Sequence, residues 1–376
     1  MTPGKDRHMV GGQSTSTATR KKKCRIAVLE GDGIGPEVVS SAKRVLMEAA
    51  SKYSLDIEAI DLDIGLSAYR KFGRSLPPET LEVMRDCDGW ILGPLQAGSY
   101  PKDDKDYPMA SGRIRKAFDL YANIRPVKSL LPSSRQGIDL VIVRENTEDF
   151  YPDRNLYKGY GEFWPNADTV LSLRVITRNA CRRISETAFQ LARSRGNKNL
   201  VTAVHKANVL IEGDGLFLEE VRKDASKYPN VKLEDKLVDS AALQLVTSPE
   251  SFDVLLTTNM FGDILSDEAA GLVGGLGLAP SLNAGDRHAM AQAVHGSAPD
   301  IAGRRIANPT AEILSTSMLL EWLHSKYGDE RLLTVARSIS KGVSKLLQKN
   351  DSRVLTPDLG GSATTEEFTS HVVENL

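Results

Sequence analysis

An α/β architecture with parallel sheet character is what this chain predicts, on two observations: short apolar runs of strand length alternate with amphipathic helical stretches, and glycine and proline mark the turns between them. A third observation bounds the answer. At 376 residues and 41% hydrophobic, the chain can bury a substantial core in one large domain or two medium ones.

The first unit is CRIAVLEGDGIGPEVVSSAKRVLMEAASKY. Its apolar strand turns through Gly31, Gly33 and Gly35 and enters a helix at Pro36, a residue suited to a first helical position; Val38, Val39, Ala42, Val45, Leu46 and Ala49 then share one face. LDIEAIDLD follows as a strand, PPETLEVMRDC as a helix and DGWILGP as a strand. FYPDRNLYKGYGEFWPNADTVLSLRVITR breaks the alternation with aromatic, glycine and proline residues, and predicts a hairpin arm over about 151–177, of the kind that packs on a second subunit. NACRRISETAFQLARSRG (helix), NLVTAVH (strand), GDGLFLEEVRKDASKYP (helix) and FDVLLTT (strand) resume it, and the part from NPTAEIL onward reads as mostly helical.

Composition excludes several classes. Lysine plus arginine (48) balances aspartate plus glutamate (49), so no global field favours nucleic acid or a membrane surface. No apolar run approaches the length of a membrane span, which predicts a soluble protein. Cys24, Cys87 and Cys181 are scattered and lack metal-ligand spacing, pointing to a reducing compartment, here taken as the cytoplasm. Residues 1–23 are polar and basic at their end, which predicts a disordered arm; Asp6 and the lack of an apolar stripe argue against a mitochondrial presequence, the alternative.

GDGIGPE has the spacing Gly-x-Gly-x-Gly-Pro, which is not the dinucleotide fingerprint Gly-x-Gly-x-x-Gly, so a Rossmann domain is not predicted. Arg113 reads as a solvated helix-surface residue. Arg125 precedes a proline in an apolar run and Arg144 ends an apolar strand, positions suited to gripping a carboxylate; with Arg115 they suggest a substrate carrying more than one. Asp263 and Asp267 share a helix face by their i, i+4 spacing, and Asp239 follows a strand-like segment. Three carboxylates without histidine or cysteine suit Mg²⁺ or Mn²⁺, although Asp263 as a helix cap and Asp267 as a solvated residue is an equal reading at this point. Lys206 follows an apolar strand, where partial burial would fit a lysine to accept a proton; Tyr151 is a candidate proton donor.

Taken together, GDGIGPE, IRKAFDLYANIRP, RENTEDFY, HKANV, NMFGDILSDEAA and HGSAPDIAG with IANPTAEIL resemble the β-decarboxylating dehydrogenases, the isocitrate and isopropylmalate dehydrogenase family, from Arg25 to the C terminus. The resemblance implies an isopropylmalate-dehydrogenase-like two-domain α/β fold with a dimerisation arm. Residues 24–120 plus 275–376 would form a large domain with the cofactor site, and 121–274 a small domain with the substrate and metal sites. By the same resemblance Arg115, Arg125 and Arg144 would hold the malate carboxylate, Asp263 and Asp267 would bind Mg²⁺ or Mn²⁺, and Lys206, Asn208 and Asp239 would enter from the neighbouring subunit of a homodimer. Tyr151 would protonate the product carbon.

His295, Gly296, Ser297, Ala298, Asp300 and Ile301 stand in the family's cofactor loop, and Asn308 where adenine is contacted. By the resemblance Asp300 would accept from ribose hydroxyls and repel a 2′-phosphate, which implies NAD. Met109 and Ser111 occupy places where isocitrate enzymes present a serine and an asparagine; Ser111 and Gly112 stand where isopropylmalate enzymes place two leucines. That implies a roomier, less apolar pocket and a 3-substituted D-malate, either 3-isopropylmalate or a bulkier 3-alkyl- or 3-benzylmalate. RENTEDFY and VHKANV are closer to the isocitrate branch, so NAD-dependent isocitrate or homoisocitrate dehydrogenase is the alternative. A non-catalytic regulatory subunit is expected to have lost some of the catalytic tyrosine, lysine or metal aspartates, and all are present here.

Overall fold

A computed structural model describes residues 23–101, 104 and 110–376. In chain order it begins with β1 (Cys24–Leu29), α1 (Gly35–Lys52), β2 (Ile57–Asp61), α2 (Gly65–Phe72), α3 (Pro78–Arg85), β3 (Gly89–Leu92) and α4 (Ala110–Ala117). It continues through β4 (Ala122–Lys128), β5 (Asp139–Glu145), β6 (Glu162–Asn166), β7 (Thr169–Ser172), α5 (Arg178–Arg195), β8 (Leu200–His205), α6 (Ile211–Ala225), β9 (Lys232–Leu237), α7 (Val238–Thr247), β10 (Val254–Thr257) and α8 (Asn259–Leu272). β11 (Leu282–Ala284), β12 (Ala289–Ala291), α9 (Thr310–Tyr327), α10 (Glu330–Lys349) and α11 (Thr365–Glu374) complete it.

Local chemistry fixes the ends of several helices. Proline sits in the first turn of α1, where no intrahelical N–H is needed. Thr177 caps α5 by accepting from the Ala180 amide, and Gly196 closes it in the left-handed conformation. Thr364 and Glu367 form a reciprocal capping box on α11.

Ten strands form one sheet in the order β2-β1-β3-β12-β11-β4-β5-β10-β8-β9. Pairing is parallel except around its middle, where β11 runs antiparallel to both β12 and β4, and β4 antiparallel to β5. Strands from 24–92 and 282–291 therefore make one half of the sheet and those from 122–257 the other. Helices α1, α9 and α10 bury an aliphatic cluster against the first half, including Val38, Leu46, Leu319 and Val343. α5 and α6 do the same on the second half through Phe189, Phe217 and Val221. All three cysteines are buried.

The antiparallel centre positions the site. Asn123 and Arg125 are two residues apart on β4 and so share a face, and Arg144 on β5 stands directly opposite Asn123. α8 lies against β5 and β4, so these polar groups meet it.

The expected hairpin arm is present as the antiparallel pair β6 and β7, whose residues are all exposed, Phe163, Trp164 and Leu171 among them. β9, KLEDKL, is the strand-like segment expected before Asp239, charged as edge strands often are; β11 and β12 are not expected from the sequence, since three-residue strands carry no readable period. Among the described residues no helix is long and apolar enough to cross a membrane. The arm expected over residues 1–23 lies outside the described residues but for Lys23.

Candidate active site

β4, β5, α8 and the turn after β5 bring Arg125, Arg144, Tyr151, Asp263 and Asp267 together. Arg125 is buried; its Nη2 lies 3.1 Å from Asp263 Oδ1 and its Nη1 lies 3.5 Å from Asp267 Oδ1. One guanidinium thus spans both carboxylates, which places their hard oxygens side by side. Nε of Arg125 donates to Asn123 Oδ1 at 2.6 Å and Nη1 to Ser266 Oγ at 2.6 Å, fixing the fork. Arg144 is pinned from two sides: Nε donates to Asn259 Oδ1 at 2.8 Å and Nη1 pairs with Asp263. The Tyr151 hydroxyl donates to Asp263 Oδ2.

Gly262 makes this approach possible. A Cβ there would stand 2.7 Å from Cβ and Cγ of Arg144, so only the bare backbone lets the arginine lie on α8.

Arg115, from α4, donates to Gln292 Oε1 at 3.0 Å and to Asn146 Oδ1 at 3.4 Å, while its Nε is buried without a partner. Burial, then the guanidinium groups of Arg154, Arg144 and Arg125, push Arg115 well below its usual value. Arg125 is pushed down to about 10 by burial and by Arg144. Guanidinium groups keep their protons in proteins, so the cluster expresses its strain as a demand for an anion. Burial alone would raise the Asp263 carboxyl, but Arg144 and Arg125 hold it below the usual carboxylate value, while burial raises Asp267. Burial also raises the Tyr151 phenol, against the pull of Arg144.

Lys206, directly after β8, belongs to a separate group. Its Nζ lies 2.6 Å from Asp239 Oδ1 at the start of α7, and its backbone amide donates to Asp214 Oδ2 at 2.6 Å. Asn208 is exposed beside it. Among the described residues no three histidine, cysteine or acidic side chains of a single chain gather as a metal site, so Asp239 does not join Asp263 and Asp267 within one chain. The pair on α8 fits a hard divalent cation in donor type and convergence, with Asp267 half-exposed at the cleft edge.

Arg174 braces these groups. It pairs with Asp149 (2.6 Å) and Asp214 (2.7 Å), and Asp149, at φ 76°, accepts from the Met260 amide at 2.9 Å. These bracing residues carry no sequence signal beyond being charged.

On the other half of the sheet, the loop after β12 holds His295, Gly296, Ser297, Ala298, Asp300 and Ile301. The Ile34 amide donates to the Ser297 carbonyl at 2.9 Å, so GDGIG serves as the floor of this loop. His295 Nε2 is buried without a partner, an open polar position suited to a nucleotide, and burial lowers its imidazole. Asp300 is exposed. Asn308 is buried, donating to Asp358 and accepting from the Thr310 amide at the start of α9.

Three expectations are corrected or left open. Arg113 is half-buried, and burial with the Arg74 charge lowers it, so it is not a freely solvated surface residue. Met109 lies outside the described residues. Ser111 is buried in α4, and Gly112 beside it opens no room: a Cβ there would stand 1.9 Å from Asp153 Oδ2 and 3.4 Å from Arg154 Nη2. The space gained by the missing side chain is filled by a charged pair. Arg154 is therefore a fourth guanidinium of the cluster that sequence reading misses.

A family profile described as isocitrate/isopropylmalate dehydrogenase matches residues 25–374. The chain is 45% identical over 357 residues to a 3-isopropylmalate dehydrogenase of Methanothermobacter thermautotrophicus, covering 94% of this chain and 99% of that protein. It is 46% identical over 353 residues to an isocitrate/homoisocitrate dehydrogenase of Thermus thermophilus, covering 94% and 98%. Its fold is similar to a crystal structure of isocitrate dehydrogenase from Methylococcus capsulatus, with a TM-score of 0.83 at 38% identity over 94% of this chain and 99% of that one. The chain belongs to the isocitrate/isopropylmalate dehydrogenase family. It is a β-decarboxylating dehydrogenase acting on a small carboxylate.

Proposed function

We propose that the protein is a homodimer catalysing the NAD-dependent oxidative decarboxylation of a 3-substituted D-malate to the 2-oxo acid and CO₂. The observation that carries this reading is the meeting of Arg125, Arg144 and Tyr151 on Asp263, with Asp267 one turn away on the same guanidinium.

Arg115, Arg125 and Arg144 bind and orient the malate carboxylates, satisfying the anion demand of the cluster. Asp263 and Asp267, with Asp239 of the partner subunit, would hold Mg²⁺ or Mn²⁺, and the cofactor loop with Asp300 would hold NAD. When bound, NAD would supply the acceptor for a hydride from C2 and the metal a Lewis acid for charge developing on the substrate oxygens. Lys206 of the partner subunit accepts the C2 hydroxyl proton, and Asn208 of the partner subunit helps to orient it. Loss of CO₂ from the carboxylate β to the new ketone leaves electron density at C3, and Tyr151 delivers a proton there. The two halves of the sheet act as two domains whose closure excludes water. The exposed aromatic and aliphatic residues of β6 and β7 suit burial against a second copy.

Substrate preference divides the relatives between an apolar 3-substituent and one carrying a further carboxylate. The departures at Ser111 and Gly112 support the first from sequence, and the Asp153–Arg154 pair over Gly112 supports the second. Purified protein with Mg²⁺ is expected to form NADH from at least one of D-malate, 3-isopropylmalate, 3-benzylmalate, isocitrate and homoisocitrate, and to use NADP far more slowly. No reduction with any of them, or equal rates with both cofactors, would contradict the reading.

A further inference from the structure

The turn after β5 carries a charged pair whose burial the reaction scheme does not explain. Arg154 has a side chain 1% exposed and Asp153 one 9% exposed. The Arg154 guanidinium lies 4.6 Å from the centroid of the Tyr151 ring, whose hydroxyl reaches Asp263, so it packs directly on a residue of the site. Its Nε donates to Asp153 Oδ1 at 3.2 Å and its Nη1 to the Asn146 carbonyl at 3.3 Å. Asn146 is also the residue that Arg115 reaches through its side-chain oxygen.

That leaves one edge of the fork without a partner. Arg154 Nη2 makes no hydrogen bond, and neither does Arg115 Nε nearby. Nη2 stands over Gly112, at 3.4 Å from where a Cβ would be. A buried charged donor is costly to leave unmade, and such groups persist in native folds where a ligand completes them. Asp153 neutralises Arg154 from its Nε side, yet its Oδ2 is also unpartnered, so the pair holds the fork in place without closing it. Through the Tyr151 ring, Gly112 and the Asn146 that Arg115 also reaches, Arg154 borders the α4 side of the site, and the 3-substituent of a malate held by Arg115, Arg125 and Arg144 is placed on that side.

We propose that Arg154, oriented by Asp153, is a specificity-determining residue that binds the end of the 3-substituent and selects malates whose 3-substituent ends in a carboxylate over those with an apolar one. This rests on the dehydrogenase reading above. Gly112 is the complementary feature: any side chain there would displace the pair.

The test is kcat/KM of the wild type, Arg154→Met and Arg154→Lys with NAD and Mg²⁺ on isocitrate, homoisocitrate and 3-isopropylmalate. The wild type is expected to prefer a carboxylate-bearing substrate. In Arg154→Met the ratio of carboxylate-bearing to apolar kcat/KM is expected to fall by about 100-fold, mainly through KM, as for a truncated buried charge contact. Arg154→Lys keeps the charge but loses the fork, and is expected to recover part of the ratio; it carries the test alone should Arg154→Met fail to fold. An unchanged ratio with both substrates falling together would overturn the proposal, leaving Arg154 a support for Tyr151. A wild type that prefers 3-isopropylmalate would overturn it while leaving the dehydrogenase reading intact; a wild type reducing NAD with none of them would overturn both.

Discussion

Arg125 and Asp263 meet at 3.1 Å between β4 and α8, while the pair of Lys206 and Asp239, at 2.6 Å, stands apart at the ends of β8 and β9. In the proposed homodimer a proton acceptor and a metal ligand set divided in this way would be completed by the second subunit.

Lys206→Met and Asp263→Asn are each expected to abolish turnover as homodimers, and Lys206→Met to leave NAD binding nearly unchanged. Losing the metal's charge stabilisation in Asp263→Asn should lower kcat by more than about 1000-fold. Co-expressed, the two variants should recover about a quarter of wild-type activity, because half of a random mixture is heterodimer with one intact site of two. No recovery in purified heterodimer would show that the two groups act within one chain.

Gly262→Ala sets two effects against each other. Helix propensity favours alanine by about 1 kcal/mol, whereas overpacking costs about 1–3 kcal/mol. Arg144 is held by Asn259 and Asp263 and has no room to give, so overpacking is expected to win. The expected result is a lower Tm together with a lower kcat, since the fork that grips substrate shifts. A stabilised variant with normal turnover would contradict the packing account.

How much of this was legible in the sequence follows from what each residue advertises. Arg125 and Arg144 stand out as charges inside apolar strands, and Asp263 and Asp267 announce one face by their spacing. Arg154 sits in a stretch of tyrosine, glycine and proline with no period, and its burial arises only when the turn packs onto Gly112. Gly112 itself misleads, because a missing side chain reads as space when it is room for a neighbour. The parallel βα units were readable from alternation; the antiparallel strands β11 and β12, at three residues each, were not.

Glu312 gives a pH-dependent signature of the fold. It is fully buried in α9; Oε2 accepts from the Ala293 amide at 2.8 Å, Oε1 has no partner, and burial pushes the carboxyl up to about 8. The folded chain keeps a proton that the unfolded chain releases near 4.5. Its contribution to stability is therefore fully present below that value and lost as pH rises toward 8, at about 1.4 kcal/mol per pH unit. Glu312→Gln removes the titrating group, so urea midpoints measured from pH 5 to 8 should decline less steeply in the variant. Identical slopes would mean that Glu312 is ionised in the fold.

The most direct measurement is the stoichiometry of turnover: NADH by absorbance and CO₂ by trapping, on the substrate the purified protein prefers, with Mg²⁺ and after chelation. The account predicts one NADH and one CO₂ per malate consumed, and neither after chelation. NADH without CO₂ would contradict it, since the arginine and carboxylate cluster would then serve a simple alcohol oxidation.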